Sequence, residues 1–212
     1  MTDTLTNWKQ EALDWGSSPD NYLLFGQRAG KTGQPSISYE ILHAGLVKNP
    51  GHHELTYRTA LALARCHSTL TAASMIKQLL NNLSQSDQII AEAYSLAGRL
   101  AKDLWAMTSN TTEKNRLALE CIENYKHAYK ISNKYHPGIN AATMSVIVGD
   151  ELFAKELALK IKTQCIEIIE TNGNDDYWLT ATLGEACLLL GEQEESVKWY
   201  RQATDAIKQN YG

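Results

Sequence analysis

Three charged residues near the middle of the chain have the spacing of a small polar site. Arg99 and Asp103 are four residues apart, so a helix would place them on one face, and Lys102 lies between them in sequence. Together they could bind an acidic group of a partner through charge-assisted hydrogen bonds. The alternative is an intramolecular network with Asn140 or Glu185. We favour the network, because charges placed between helices are usually paired.

A glycine-containing segment, residues 26–32, has the residue types of a phosphate-binding loop. Such a loop needs four residues between its two glycines, so that successive N–H groups can surround a phosphate. Only three residues separate Gly26 from Gly30, and Phe25 occupies the place of the first glycine. We therefore predict that this segment is the end of a helix and not a nucleotide site.

The run His52, His53 and Glu54 resembles half of a zinc-binding helix. That helix needs the pattern His-Glu-x-x-His, so that both imidazoles share one face. Tyr57 stands where the second histidine would be required. We interpret the run as a polar helix start, and we expect no metal, no cofactor and no catalytic residue in this chain, which we interpret as a non-enzyme.

Composition narrows the remaining classes of function. The chain has 212 residues and a formal net charge of −4, and no dense Lys/Arg cluster stands out, which disfavours nucleic-acid binding. It has neither a signal peptide nor an apolar run of about 18 residues, so we expect a cytoplasmic protein without a membrane span. The widely spaced cysteines are interpreted as reduced, largely buried thiols; they are Cys66, Cys121, Cys165 and Cys187.

The residues that could bind a partner must be positioned by a repeated pair of helices. Small residues recur at the tetratricopeptide spacing: Gly26 and Ala60 are 34 residues apart, and so are Ser38 and Ala72. We predict an all-α, right-handed α-solenoid: a leading helix over 1–18, then a single array of about five tetratricopeptide-like helix pairs over 19–210. The third pair is stretched, with its turn at 109–112, and the fourth pair begins near Pro137 with Ala142 and Val146 on its first helix. The leading helix has Leu5, Trp8, Ala12 and Leu13 on one side. In this arrangement the first helices of the pairs, the A helices, form the concave wall.

Four segments resemble the TRAFs-binding domain family, the central regulatory region of the apoptosis-signal-regulating kinases. GRLAKD at 98–103 is similar to the family's GR-x-x-KD element, and GINAAT at 138–143 is similar to an element of the same sequence. Residues 61–65 and 177–203 resemble further family segments, the latter those of its bacterial branch. The resemblance implies a tetratricopeptide-like scaffold of the stand-alone bacterial type. In the kinases this region regulates the enzyme and receives TRAF adaptors.

We therefore interpret the chain as a non-catalytic helical-repeat scaffold that binds a protein or peptide and regulates a signalling or stress-response partner. The alternative is a small-molecule or signal-peptide sensor whose solenoid closes around its ligand. The last helix could cover the open end of the array or form a homodimer. The predicted contact residues on the concave wall are Tyr57, Arg65, Arg99, Lys102, Asp103, Asn140 and Glu185.

Overall fold

The computed structural model describes residues 7–173 and 176–211, and every regular element in these residues is a helix. This confirms the predicted all-α class. The helices are α1 (Trp8–Glu11), α2 (Pro19–Lys31), α3 (Pro35–Lys48), α4 (His53–Arg65), α5 (Thr69–Asn82), α6 (Ile90–Met107), α7 (Thr111–Ser132), α8 (Tyr135–Ile147), α9 (Glu151–Asn172), α10 (Tyr177–Leu189) and α11 (Gln193–Tyr211).

The chain divides into two compact units, Met1–Met107 and Thr108–Gly212. Unit 1 contains α1 to α6, and unit 2 contains α7 to α11. The boundary lies between α6 and α7, which the sequence assigns to the stretched third pair. The single solenoid over 19–210 stays a prediction.

Unit 1 is built from helices that each pack on the next along the chain, from α2 to α6. The A helices α2, α4 and α6 also contact one another in sequence order, α2 with α4 and α4 with α6. One apolar cluster joins Tyr22 and Leu42 to Leu55, and a second joins Ala60 and Ile76 to neighbouring residues of α5 and α6. The A helices therefore form a continuous row within this unit.

Unit 2 repeats the same plan with α7, α8, α9, α10 and α11, each packed on its neighbour. Its A helices, α8 and α10, also contact each other directly. Gly138 permits the close approach of α8 to α9, because a Cβ added there would lie 2.4 Å from Cδ1 of Ile161. The glycine of the GINAAT segment therefore has a packing role.

Within a pair, the A helix packs on the second helix, which we call the B helix. This contact is fixed by two small residues twelve positions apart. In the first pair the hydroxyl of Ser38 donates to the carbonyl of Gly26 at 2.8 Å, and in the last pair Ser196 donates to Gly184 at 2.8 Å. A Cβ on Gly26 would lie 2.4 Å from Cγ of Leu42, so only glycine allows this approach. The second and fourth pairs have alanines at both positions, all fully buried: Ala60, Ala72, Ala142 and Ala154.

The leading helix is shorter than predicted. In the described residues it spans only Trp8–Glu11, and Leu5 lies outside them. Leu13, expected on the apolar side, is 71% exposed, because turns follow the helix and Gly16 adopts a φ of +59°. The segment is held instead by Trp15, whose ring stacks on Phe25 with centroids 4.6 Å apart.

Two further boundaries differ from the sequence interpretation. Helix α7 begins at Thr111 within the predicted turn, because the side chain of Asn110 accepts a hydrogen bond from the N–H of Glu113 at 2.9 Å and caps the helix. Helix α8 begins at Tyr135, two residues before Pro137, and Val146 on this helix is 41% exposed although the pattern placed it with the core.

Candidate partner-binding surface

The predicted contact residues lie on the A helices α4, α6, α8 and α10. Two contacts between neighbouring A helices border this surface. We call the contact of α2 with α4 the first junction and the contact of α8 with α10 the second junction. Each junction lies within one compact unit. The side chains at these junctions determine what the A-helix surface offers to a partner.

The first junction contains a cavity of about 80 Å³ with a cationic rim. Arg65 reaches across the junction from the end of α4, and its Nη1 donates to the carbonyl of Gly30 on α2 at 3.4 Å. Arg58 is held by Glu54, with Nε and Oε1 2.7 Å apart. The cavity is lined by residues that include Gly30, Lys31, Ser38, Arg58, Leu61 and Arg65.

Tyr57 is the predicted contact residue that the structure places in the core. It is only 7% exposed and belongs to the apolar cluster around Ala60. Burial raises the pKa of the Tyr57 hydroxyl, and the charge of neighbouring Arg58 acts in the opposite direction. Because a partner could reach little of this ring, we remove Tyr57 from the contact set.

The charged group on α6 is partly exposed. Nε of Arg99 and Oδ2 of Asp103 are 3.7 Å apart, and the two side chains are 44% and 39% exposed. Lys102 beside them is half-buried. An exposed i, i+4 pair of this kind contributes about 0.5 kcal/mol or less to stability. The proposed network from this group to Asn140 or Glu185 would join the two units, and it stays a prediction.

At the second junction, a charged side chain forms a hydrogen bond between the two A helices. The hydroxyl of Thr143 on α8 donates to the carboxylate of Glu185 on α10. Asn140 is engaged within its own helix, where its amide donates to the carbonyl of His136 at 2.9 Å. Burial raises the pKa of Tyr200, and the negative charge of Glu185 is the second cause. Glu185 therefore has a structural contact in addition to its predicted role.

Apolar side chains lie at the ends of both A helices of the second junction. On α8, Val146 and Ile147 are 41% and 49% exposed, and on α10 Leu188 is 53% exposed. These residues offer dispersion contacts to a partner but no charge.

The sequence segments that suggested catalysis or metal binding have structural roles. The segment 26–32 forms the end of α2, as predicted. His52 caps α4, as its Nδ1 accepts from the N–H of Leu55 at 3.3 Å, which confirms the polar helix start. Nδ1 of His53 lies 3.2 Å from Oδ1 of Asp87. Among the described residues, no group of three or more His, Cys, Asp or Glu is arranged to hold a metal ion.

The four cysteines are free thiols, and three of them are buried: Cys121, Cys165 and Cys187. Burial raises the pKa of Cys165 to about 12 and is the main cause that raises the pKa of Cys187 to about 11. Across the part of the chain that the structure describes, no helix combines the length and apolar character needed to cross a membrane.

Sequence reasoning missed three residues of the first junction: Gly30, Lys31 and Arg58. The spacing of two arginines could have revealed Arg58. Arg58 and Arg65 are seven residues apart on one helix, which is two turns, so both guanidinium groups project from one face. Thr143, the last residue of the GINAAT segment, was also missed as the partner of Glu185. Its partner is 42 residues away, so no local pattern indicated the pair.

Comparison with known proteins agrees with this architecture. A model of the MAP3K TRAFs-binding domain family matches residues 42–208. Mitogen-activated protein kinase kinase kinase 15 of Mus musculus is 22% identical over 130 residues, which are 59% of this chain and 10% of the kinase. The match therefore spans a small part of that protein.

Two solved structures share the fold at low sequence identity. A thermophilic TPR protein of Thermus thermophilus is 15% identical, with a TM-score of 0.70 over 89% of this chain and 91% of that one. MamA from Desulfovibrio magneticus is 10% identical, with a TM-score of 0.59 over 92% and 97% of the two chains. These likenesses establish the tetratricopeptide-like α-solenoid class and nothing beyond the fold.

Proposed function

The chain belongs to the MAP3K TRAFs-binding domain family, and from this premise we propose that it is a non-catalytic helical-repeat scaffold that binds a protein or peptide partner. We further propose that it regulates a signalling or stress-response partner through this contact. The family description names TRAF proteins as the ligand, and what we carry over to this chain is the class, a protein ligand. The kinase relative aligns over 10% of its length, so its activity is not part of the proposal.

The observation that carries the proposal is that the A helices of unit 1 have one side buried in the core and charged groups that remain accessible. One side of α4 and α6 forms the core, with Ala60 and Leu100 almost fully buried. The charged groups of Arg65, Arg99 and Asp103 remain accessible on these same helices. Arginine is enriched among the residues that dominate the energy of protein interfaces. Rigid helices present these groups at fixed positions, which lowers the entropy cost of binding.

The proposed contact set is now six of the seven predicted residues, because Tyr57 belongs to the core. It consists of Arg65, Arg99, Lys102, Asp103, Asn140 and Glu185. We expect the largest losses of affinity from the arginines, because their planar guanidinium can bind a carboxylate through two hydrogen bonds.

The test is affinity capture with the tagged full chain from an extract of its own cells, followed by mass spectrometry. The parent is compared with Arg99→Ala/Lys102→Ala, and a matched control, Lys77→Ala/Lys155→Ala, removes the same charge from two exposed lysines on the B helices. A partner captured by the parent and the control, confirmed with purified components and lost from the α6 variant, supports the proposal. Circular dichroism must show that the variants are folded.

Other outcomes contradict parts of the proposal. A partner retained by the α6 variant moves the contact away from Arg99 and Lys102. Capture of no protein at all overturns the scaffold function and favours the sensor alternative. The cytoplasmic location, the absence of nucleic-acid binding and the homodimer through the last helix stay predictions.

A further inference from the structure

The cavity at the first junction carries more positive charge than the fold needs. Lys31, Arg58 and Arg65 all line it, and among the described residues its lining contains no acidic side chain. Within the described part of the chain, the carboxylate that pairs with one of these cations is that of Glu54, which engages Nε of Arg58. A guanidinium has five N–H donors, so Arg58 retains four on its two Nη nitrogens. Three cations around one small space repel each other, and an anion between them would remove that repulsion.

Gly30 leaves room beside the cavity for two polar side chains, those of Arg65 and Ser38. A Cβ at this position would lie 3.0 Å from Nη1 of Arg65 and 3.3 Å from Oγ of Ser38. At Gly26, by contrast, the missing Cβ makes room for the apolar side chain of Leu42. A glycine inside a helix costs about 0.5–1 kcal/mol relative to alanine. At Gly30 this cost secures room for polar groups and not for the apolar contact of two helices.

The size and donors of the cavity select a class of ligand. Its volume of about 80 Å³ is several times the roughly 10–15 Å³ needed to hold one water, so it has room for one compact oxyanion. Nη1 of Arg65 is fixed at the rim by its bond to the carbonyl of Gly30, which reduces the entropy lost when an anion binds. The wall also contains Leu61 and Leu42, which suit the methylene groups of a side chain that carries the anion.

We propose that the first-junction cavity is a binding site for an oxyanion, a carboxylate or phosphoryl group on a side chain of the peptide partner. The oxyanion site stands on the cavity itself, and its assignment to a peptide rests on the proposed scaffold function. Arg65 and Arg58 bind the anion through paired N–H donors, and Lys31 adds a third positive charge. The partner is therefore acidic, or phosphorylated, at the position that enters this cavity.

The first experiment uses inorganic phosphate and the full chain labelled with ¹⁵N. Backbone amide shifts are followed during titration at constant ionic strength, with sodium chloride as the reference. We expect saturable shifts centred on Gly30 and Arg65 with a millimolar dissociation constant, of the order of 1–10 mM. Arg65→Ala should weaken binding at least about tenfold, because it removes charge-assisted hydrogen bonds.

Two further variants separate a built site from general attraction of anions. Arg28→Ala removes an exposed arginine of α2, the helix of Gly30 and Lys31, that does not line the cavity. It should leave the dissociation constant within about twofold. Gly30→Ala keeps every charge but fills the space beside Arg65, and it should weaken phosphate binding at least about tenfold. Equal losses for Arg28→Ala and Arg65→Ala, unchanged binding by Gly30→Ala, or shifts no larger than those with chloride would each overturn the proposal.

Small model compounds distinguish the two sources of the anion. N-acetyl-phosphoserine amide, N-acetyl-aspartate amide and the neutral N-acetyl-serine amide are titrated in the same way. Tighter binding of the phosphorylated compound indicates a phosphopeptide, equal binding of both anions indicates an acidic peptide, and binding of the neutral compound as tight as that of the anions would contradict the site. Phosphate binding without any captured protein would preserve the cavity site and refute the scaffold function, so the two failures are distinguishable.

Discussion

The two A-helix junctions have the same internal spacing and different chemistry. In each one, both A helices carry a small buried residue at the same repeat position: Gly26 and Ala60 in the first junction, Ala142 and Gly184 in the second. One position later, the first junction has Gln27 and Leu61, whereas the second has Thr143 and Glu185, which are hydrogen-bonded. The side chains that face solvent therefore differ although the pairs share one frame.

The difference continues toward the ends of the helices. Four and five positions after Gly26 lie Gly30 and Lys31, and five after Ala60 lies Arg65. The corresponding residues of the second junction are all apolar: Val146, Ile147 and Leu189. Unit 1 thus offers an open cationic cavity where unit 2 offers an apolar edge and a hydrogen bond between its helices. The shared small residues therefore fix the positions of the helices, whereas the residues just outside them set the chemistry that each junction presents to solvent.

Thiol reactivity should give the largest contrast between the units. Cys66, at the end of α4, is partly exposed, whereas Cys165 and Cys187 are fully buried and their pKa values are raised to about 12 and about 11. At pH 8 we expect iodoacetamide to modify Cys66 in the folded protein and the two buried thiols at least about a hundredfold more slowly, because the thiolate is the reactive form.

Peptide mass spectrometry over time measures these rates, with urea-unfolded protein as the control in which all sites react. The rates of Cys165 and Cys187 should continue to rise from about pH 8 to about pH 10, because deprotonation is incomplete below their raised pKa values. Fast modification of Cys187 in the native state would show that the packing of α9 against α10 opens readily.

Alanine at the equivalent glycines Gly26 and Gly184 should reduce the free energy of unfolding by different amounts, because the two positions are packed differently. Gly26→Ala places a Cβ 2.4 Å from Cγ of the fully buried Leu42 and should destabilise the protein by about 1–3 kcal/mol. Gly184→Ala meets the ring of Tyr200 at 3.2 Å, and this ring is 38% exposed and has room to move. Its cost should stay below about 1 kcal/mol, because alanine also favours the helix. Urea unfolding followed by circular dichroism compares the two, and equal losses would contradict the packing difference.

The hydrogen bond between Thr143 and Glu185 should make a smaller contribution. A double-mutant cycle with Thr143→Val and Glu185→Ala should give a coupling of about 1 kcal/mol in the free energy of unfolding. Thr143→Ser is the matched control, because it retains the hydroxyl and should keep most of the coupling. A coupling near zero would mean that this hydrogen bond does not stabilise the second junction.

The smallest expected effect on stability is that of the α6 charges. Arg99→Ala should change the free energy of unfolding by less than about 0.5 kcal/mol, because its pair with Asp103 is exposed. A loss above about 2 kcal/mol in urea unfolding would support the intramolecular network that the sequence favoured. A small loss of stability combined with a large loss of partner affinity would support the binding role.

Local patterns predicted the frame of the molecule well. The recurrence of small residues at 34 positions gave the first helix pairs, because a repeated close approach requires repeated small side chains. Tyr57 was assigned to the surface although it lies three positions before Ala60, on the same helical face, and is buried with it. The cavity could not be predicted, because it depends on Arg65 reaching Gly30, 35 residues earlier, and on the exact rotamers at a junction.

The hydrogen bond of Ser38 to Gly26, and its counterpart of Ser196 to Gly184, has a consequence for how such a chain can diverge. All pairs except the stretched third one are closed by two small residues twelve positions apart, so few sites determine this contact. The solvent-facing positions of the A helices do not take part in this contact, so they can change independently of it. Duplication of a pair would therefore supply a ready frame on which a new specificity could arise, without any cost to the contact that holds the pair together.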